Sequence, residues 1–276
     1  MNTGAAAADA RPAAVQSAAP AASAIEVRDL AKAFYDARSG RVTVATQNVS
    51  FSVARGEFVS IVGPSGCGKT TVLRILAGLE EALAGSVRLV SERRPAMVFQ
   101  EASVLPWLSV RDNVGFPLQI AGRSRAERRP REDALLELTG LMDFADAKPH
   151  QLSGGMKQRV AVARALVDER DILLMDEPFG ALDEQTRMAL QQELLRIWEA
   201  SRKTVVFITH SVDEALVLSD RVLVMSPRPG TIVADLQVPF QRPRDVVSLR
   251  RDPRFWELTH TIWTLLSQSA QHAERP

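Results

Sequence analysis

A chain of 276 residues, 46% hydrophobic and 24% charged, is long enough to bury a substantial core as one large domain or two small ones, and its composition is that of an ordinary globular protein. A formal net charge of +1 and a sequence pI near 8.0 leave no global field that would draw nucleic acid or an anionic membrane, so no nucleic-acid partner is expected. Cys67 is the only cysteine, which excludes an internal disulfide and suits a reducing compartment, and no stretch reaches the roughly 18 uncharged apolar residues of a membrane helix, so a membrane role has to act through a partner.

Residues 1–24 are rich in Ala, with Pro12, Pro20, Asp9 and Arg11 where a secretory leader would have a basic start and an apolar run, and are expected to be a disordered tail. Alternating apolar segments follow at Ile25–Leu30, Val42–Thr46 and Val49–Val53. They predict antiparallel strands with a turn at Ser39-Gly40. Phe34 and Tyr35 close the first strand, where an aromatic either stacks on a nucleobase or joins the core.

The stretch from Glu57 to Ala77 carries the densest chemistry. An apolar strand runs into Gly63-Pro64-Ser65-Gly66-Cys67-Gly68-Lys69-Thr70-Thr71 and out into a helix. Glycines at 63, 66 and 68 let the backbone curl so that several N–H groups and the helix's positive end converge on a polyphosphate. Lys69 adds a point charge, and the Thr70 hydroxyl is placed to hold the magnesium that bridges phosphates. Cys67, beside a helix start, is expected to have a lowered pKa, and is either a small residue filling the loop or a thiol whose alkylation would block the phosphate site.

Gly78 stops that helix, Gly85–Val90 resumes strand character, and Ala96–Phe99 is a short apolar run ending in Gln100. From 101 to 168 helical spacing and charge take over, which predicts a helical subdomain inserted into the sheet protein. Its Val104–Leu108 segment, with Trp107, is either an exposed docking surface or local core. At Ser153-Gly154-Gly155 a serine can cap the next helix while two glycines leave its N–H groups open, a second anion site or a plain capped helix.

Ile172–Met175 reads as a buried strand that delivers Asp176 and Glu177 to its carboxyl end, where parallel sheets place ligands. Asp176 suits magnesium, and Glu177 suits an attacking water. A polar turn at Ala181-Leu182-Asp183 precedes a helix over Gln185–Arg202. Thr204–Thr209 is another buried strand that brings His210 to the same edge, within reach of a γ-phosphate, and Arg221–Met225 is one more. Residues 238–276 show a Pro- and Arg-rich linker and a helix with Trp256 and Trp263, without a chemical motif.

Five separated motifs in this order resemble the nucleotide-binding subunit of ATP-binding-cassette transporters, over about residues 25–237. The resemblance implies an α/β fold: a P-loop NTPase (RecA-like) core with an N-terminal antiparallel β subdomain and an inserted helical subdomain. It implies ATP and Mg2+ as ligands. Gly63–Thr70 matches the Walker A loop, Gln100 the Q-loop, Leu152–Gln158 the signature, and Ile172–Asp176 Walker B, with Glu177 as catalytic glutamate. Asp183 closes the D-loop, His210 is the switch histidine, and Phe34 matches the aromatic that stacks on adenine. Thr70, Gln100 and Asp176 would hold the Mg2+.

In that family two copies pair head to tail, so Ser153, Gly154 and Gly155 are expected to act on the partner's nucleotide. Membrane permease subunits, and through them an extracytoplasmic substrate-binding protein, complete the assembly at the cytoplasmic face of the inner membrane. The segments Met97–Trp107, Leu174–Asp183 and Met225–Gly230 are similar to the branch importing nitrate, aliphatic sulfonates and taurine. Rival readings are a soluble ATPase of the same fold in DNA repair or translation, an exporter subunit, and an ATP-binding adaptor that does not hydrolyse.

Overall fold

The computed structural model describes residues 23–168, 170–180 and 182–273. Two sheets organise it. The first is antiparallel, with strands β1 (Ser23–Asp36), β2 (Arg41–Ala54) and β4 (Ala84–Leu89) in the order β2-β1-β4. The second has six strands in the order β5-β6-β7-β3-β8-β9, made by β3 (Phe58–Val62), β5 (Ala96–Val98), β6 (Ile172–Asp176), β7 (Thr204–Ile208), β8 (Arg221–Met225) and β9 (Ile232–Gln237). All its pairings are parallel except β8 with β9. Strands β3, β6 and β7 are buried at every residue, as continuous apolar runs in a covered parallel sheet should be.

Helices cover both faces of that sheet. On one side, α1 (Lys69–Leu76) packs with Val59, Ile61, Leu174 and Ile208 and with the inward residues of β1 and β2. On the other lie α5 (Glu184–Ser201), α6 (Val212–Leu218), α7 (Val246–Leu249) and α8 (Pro253–Ala273), around Phe58, Phe179, Phe207 and Trp198. Between β5 and β6 the chain forms α2 (Val110–Ile120), α3 (Arg125–Leu138) and α4 (Gly154–Val167), which share a separate core of Val110, Val114, Leu136, Leu141 and Val160. Helix α4 also sends Val162 and Ala165 into the main core, so it joins the two bodies.

Several expectations need adjustment. The segments Val42–Thr46 and Val49–Val53 are one strand: Asn48 takes φ +50°, a local irregularity that the ladder absorbs without ending. Strand β1 begins at Ser23, and Ala24 is buried, so the boundary drawn after residue 24 falls two residues late; the rest of the expected tail lies outside the described residues. Trp107 is 68% exposed, which places it on the surface rather than in local core. Strand β9 and helix α6 were not anticipated.

Candidate active site

The phosphate-loop residues turn where β3 meets α1. Gly63 is walled in: a Cβ there would lie 2.8 Å from the Met225 carbonyl oxygen and 3.0 Å from Cys67 Sγ. Gly68, at φ +106°, is the cap residue of α1, and a Cβ would stand 2.5 Å from Thr46 Cγ2. Only glycine combines that dihedral with that clearance. Lys69 is buried, and its ammonium donates to the carbonyls of Gly63 (2.8 Å) and Pro64 (3.0 Å), which holds the loop closed around its own cation.

Opposite the loop, β6 and β7 end side by side. Glu177 N donates to the Ile208 carbonyl at 2.9 Å, so the strand that carries the acid is tied to the strand that carries the histidine. Glu177 has φ +47°, a left-handed conformation uncommon outside glycine and held here by its surroundings. One carboxylate oxygen lies 2.6 Å from His210 Nε2 and the other accepts from Gln100 Nε2 at 3.1 Å. Asp176 sits below, buried, and accepts from the Thr70 hydroxyl at 3.0 Å. Burial raises its pKa above the ordinary carboxylate value, with the charge of Glu177 adding to the rise against the hydrogen bond from Thr70.

One cavity of about 370 Å3 is lined by Phe34, Thr43, Ala45, Ser65, Gly66, Gly68, Lys69, Thr70, Thr71, Gln100, Glu177, His210 and Arg228. It runs from an aromatic end to a phosphate end. Phe34 is 41% exposed, and the Lys32 ammonium stands 5.1 Å from its ring centroid. Of the expected residues, Phe34, Ser65, Gly66, Gly68, Lys69, Thr70, Thr71, Gln100, Glu177 and His210 are brought together around the cavity, while Gly63, Pro64, Cys67 and Asp176 are not in the lining but contact Lys69 or Thr70. Ser153, Gly154, Gly155 and Asp183 do not line this cavity. Ser153 caps α4 by accepting from Met156 N at 3.2 Å, with Ser153 and Gly154 open to solvent, while Asp183 caps α5 by accepting from Thr186 N at 3.0 Å.

Cys67 reverses its expectation. It is 2% exposed, and burial raises the thiol pKa despite the neighbouring Lys69 charge. A helix start lowers a thiol's pKa only while the thiolate stays solvated.

Thr70 and Asp176 supply hard oxygen donors of the kind magnesium takes, with Gln100 at the cavity edge. Among the described residues there is no cluster of three or more acidic, His or Cys ligands that would make an all-protein cage. A single buried carboxylate beside one hydroxyl fits magnesium that is shared with phosphate oxygens and water.

Residues 46–180 match the family described as ABC transporter. The chain is 47% identical over 248 residues to a taurine import ATP-binding protein of Rhizobium johnstonii, covering 86% of this chain and 95% of that one. The chain belongs to the ABC transporter family. Within it, the chain is an ATP-binding subunit and an ATPase. It is also 50% identical over 223 residues to an aliphatic sulfonates import ATP-binding protein of Pseudomonas savastanoi (81% and 90% covered), and 46% identical over 224 residues to a nitrate import ATP-binding protein of Synechococcus elongatus (78% and 82% covered). Among solved structures it is similar to an ATP-binding cassette captured as a dimer in a post-hydrolysis state with ADP and Pi. The TM-score there is 0.71 at 32% identity, and 79% of this chain and 100% of that one are covered. That ABC cassette fold, a P-loop NTPase core with an antiparallel sheet and a helical block, is the fold described above. No helix among the described residues is long and apolar enough to cross a membrane.

Proposed function

We propose that this ABC ATPase energises import of a small anion, a taurine, aliphatic sulfonate or nitrate, by hydrolysing ATP at the cytoplasmic face of the inner membrane. The observation that carries the chemical part is the single cavity joining Phe34, Lys69, Thr70, Gln100, Glu177 and His210. Adenine stacks on Phe34, and the triphosphate lies on the loop amides and Lys69. Glu177 orients a water and takes its proton, while His210, 2.6 Å away, fixes that carboxylate and faces the terminal phosphate. Thr70, Asp176 and Gln100 would hold Mg2+, which neutralises charge on the transferring phosphoryl.

Ser153 and Gly154 are open to solvent, and with Gly155 they lie outside the cavity of their own chain. Two copies paired head to tail supply what each lacks: Ser153, Gly154 and Gly155 of one would close on the nucleotide of the other, with Asp183 at the junction. Permease subunits are the membrane partners, and an extracytoplasmic binding protein chooses the solute. In this reading residues 25–237 form the ATPase domain, 101–168 its helical subdomain, and 238–276 a C-terminal extension.

The test is growth of cells lacking this chain on taurine, an aliphatic sulfonate or nitrate as sole source. Loss on one of them, restored by the wild type and not by Glu177→Gln, is the expected result. Unchanged uptake of all three would sink the import assignment.

A further inference from the structure

Arg228 belongs to a segment, Met225–Gly230, that the hydrolytic scheme leaves unused. The loop after β8 is wedged between the phosphate loop and the antiparallel sheet. Gly230 N donates to the Ala45 carbonyl and Gln47 N to the Gly230 carbonyl, both at 3.0 Å, and a Cβ on Gly230 would fall 1.9 Å from the Cys67 carbonyl oxygen. Ser226 closes the loop on itself, with its N–H on the Thr231 carbonyl and its hydroxyl accepting from Thr231 N. From this fixed base the Arg228 guanidinium reaches over the phosphate loop, donating from Nε (3.1 Å) and Nη2 (3.0 Å) to the Gly66 carbonyl.

Lys69 and Arg228 are the two permanent cations lining the cavity. They differ in how they are held. Lys69 is buried and bound to two carbonyls, whereas Arg228 is exposed and, among the described residues, pairs with no carboxylate. A guanidinium anchored on a carbonyl at a cavity wall, without a counter-charge, keeps its remaining N–H groups for an anion. Its anchor is also informative. Gly66 has φ +75°, and two donors on its carbonyl hold that left-handed peptide in place.

We propose that Arg228 is a second polyphosphate-binding cation of this site, contacting the nucleotide directly while it pins the Gly66 peptide. The inference rests on the nucleotide reading above. Its signature is an effect that grows with the number of phosphates.

The experiment is calorimetric titration of the full chain with ATP, ADP and AMP, for wild type, Arg228→Gln, Arg228→Lys and Lys69→Ala. Arg228→Gln should weaken ATP about tenfold, the loss of one charge-assisted contact, weaken ADP less, and leave AMP within about twofold. Arg228→Lys keeps the charge without the fork and should retain part of the ATP affinity, which also serves if the glutamine variant folds poorly. Equal losses for ATP and AMP, or ATP binding within about twofold of wild type in both Arg228 variants, would overturn the proposal. If Lys69→Ala also binds ATP like wild type, the nucleotide reading itself has failed; if only the Arg228 variants are silent, the failure is confined to Arg228.

Discussion

Glu177→Gln separates binding from chemistry at this site. The carboxylate now serves two neighbours, His210 Nε2 at 2.6 Å and Gln100 Nε2 at 3.1 Å. An amide of the same size has one acceptor oxygen, so one neighbour then meets an NH2 group, at a net cost of about 1 kcal/mol for a half-buried contact. That lowers the melting temperature by no more than about 2–4 °C. The kinetic effect is much larger. Loss of a positioned general base costs about 10²–10⁴-fold, or roughly 2.7–5.4 kcal/mol of barrier at 1.36 kcal/mol per decade. Affinity moves the other way, because the substitution removes a negative charge from the phosphate end of the cavity. Phosphate release should therefore fall at least a hundredfold while ATP binding is equal or tighter, and gel filtration with ATP should show an accumulated dimer. Turnover within about threefold of wild type, with a folded protein that binds ATP, would remove Glu177 from its role.

Asp176→Asn should trade activity for stability. A carboxyl whose pKa is raised in the folded chain binds its proton more tightly there than when unfolded, so the fold loses stability as pH climbs from the ordinary carboxylate value through the raised one and stays lower above it. The asparagine variant should thus melt higher than wild type at pH 7, with the gap closing below the ordinary carboxylate range, and turn over at least about a hundredfold more slowly; a lower melting point at pH 7 would contradict the burial argument. Arg244→Met strips the donor that reaches the carbonyls of Leu216, Val217 and Ser219 at the end of α6, and of Phe240. One buried group left unsatisfied costs about 1–3 kcal/mol, so melting should drop by about 6–12 °C if the loss totals about 3 kcal/mol, and a change under about 2 °C would show those carbonyls are satisfied otherwise. Cys67, buried and with its pKa raised, should react with a maleimide at least about tenfold more slowly in the native chain than in denaturant; equal rates would refute its burial.

Much of the site was legible because its geometry is local. Nine consecutive residues from Gly63 to Thr71 dictate their own turn, and the uninterrupted apolar runs of β6 and β7 announce strands that must deliver whatever follows them, Glu177 and His210, to one edge. What the sequence hid depended on neighbours distant in the chain. The Cys67 pKa was misread because a helix start is visible in sequence while the packing around the thiol is not. Asp183 and Ser153 carry visible cap chemistry, but which surface they leave free is set by the whole fold. Strand β9 was missed although Ile232, Ala234 and Leu236 alternate inward, and α6 although Ser211 followed by Glu214 is a helix start: its hydroxyl accepts from Glu214 N. Arg228 lies in the Met225–Gly230 segment that resembles the importer branch, but nothing local announced its contact, since its partner Gly66 lies 162 residues away.

The tie between Glu177 N and the Ile208 carbonyl separates a fixed part of the machine from a movable one. Acid and histidine ride on adjacent buried strands, so their spacing is as stiff as the sheet. Gln100 hangs instead from β5, a three-residue strand at the sheet's border that leads directly into the helical block with its own core. In the proposed mechanism, a displacement of that block would carry Gln100 off the Glu177 oxygen and leave Glu177 and His210 in register. Under the proposed function, ignition and trigger would sit on different supports, and a partner gripping only the helices would time the reaction without disturbing its chemistry.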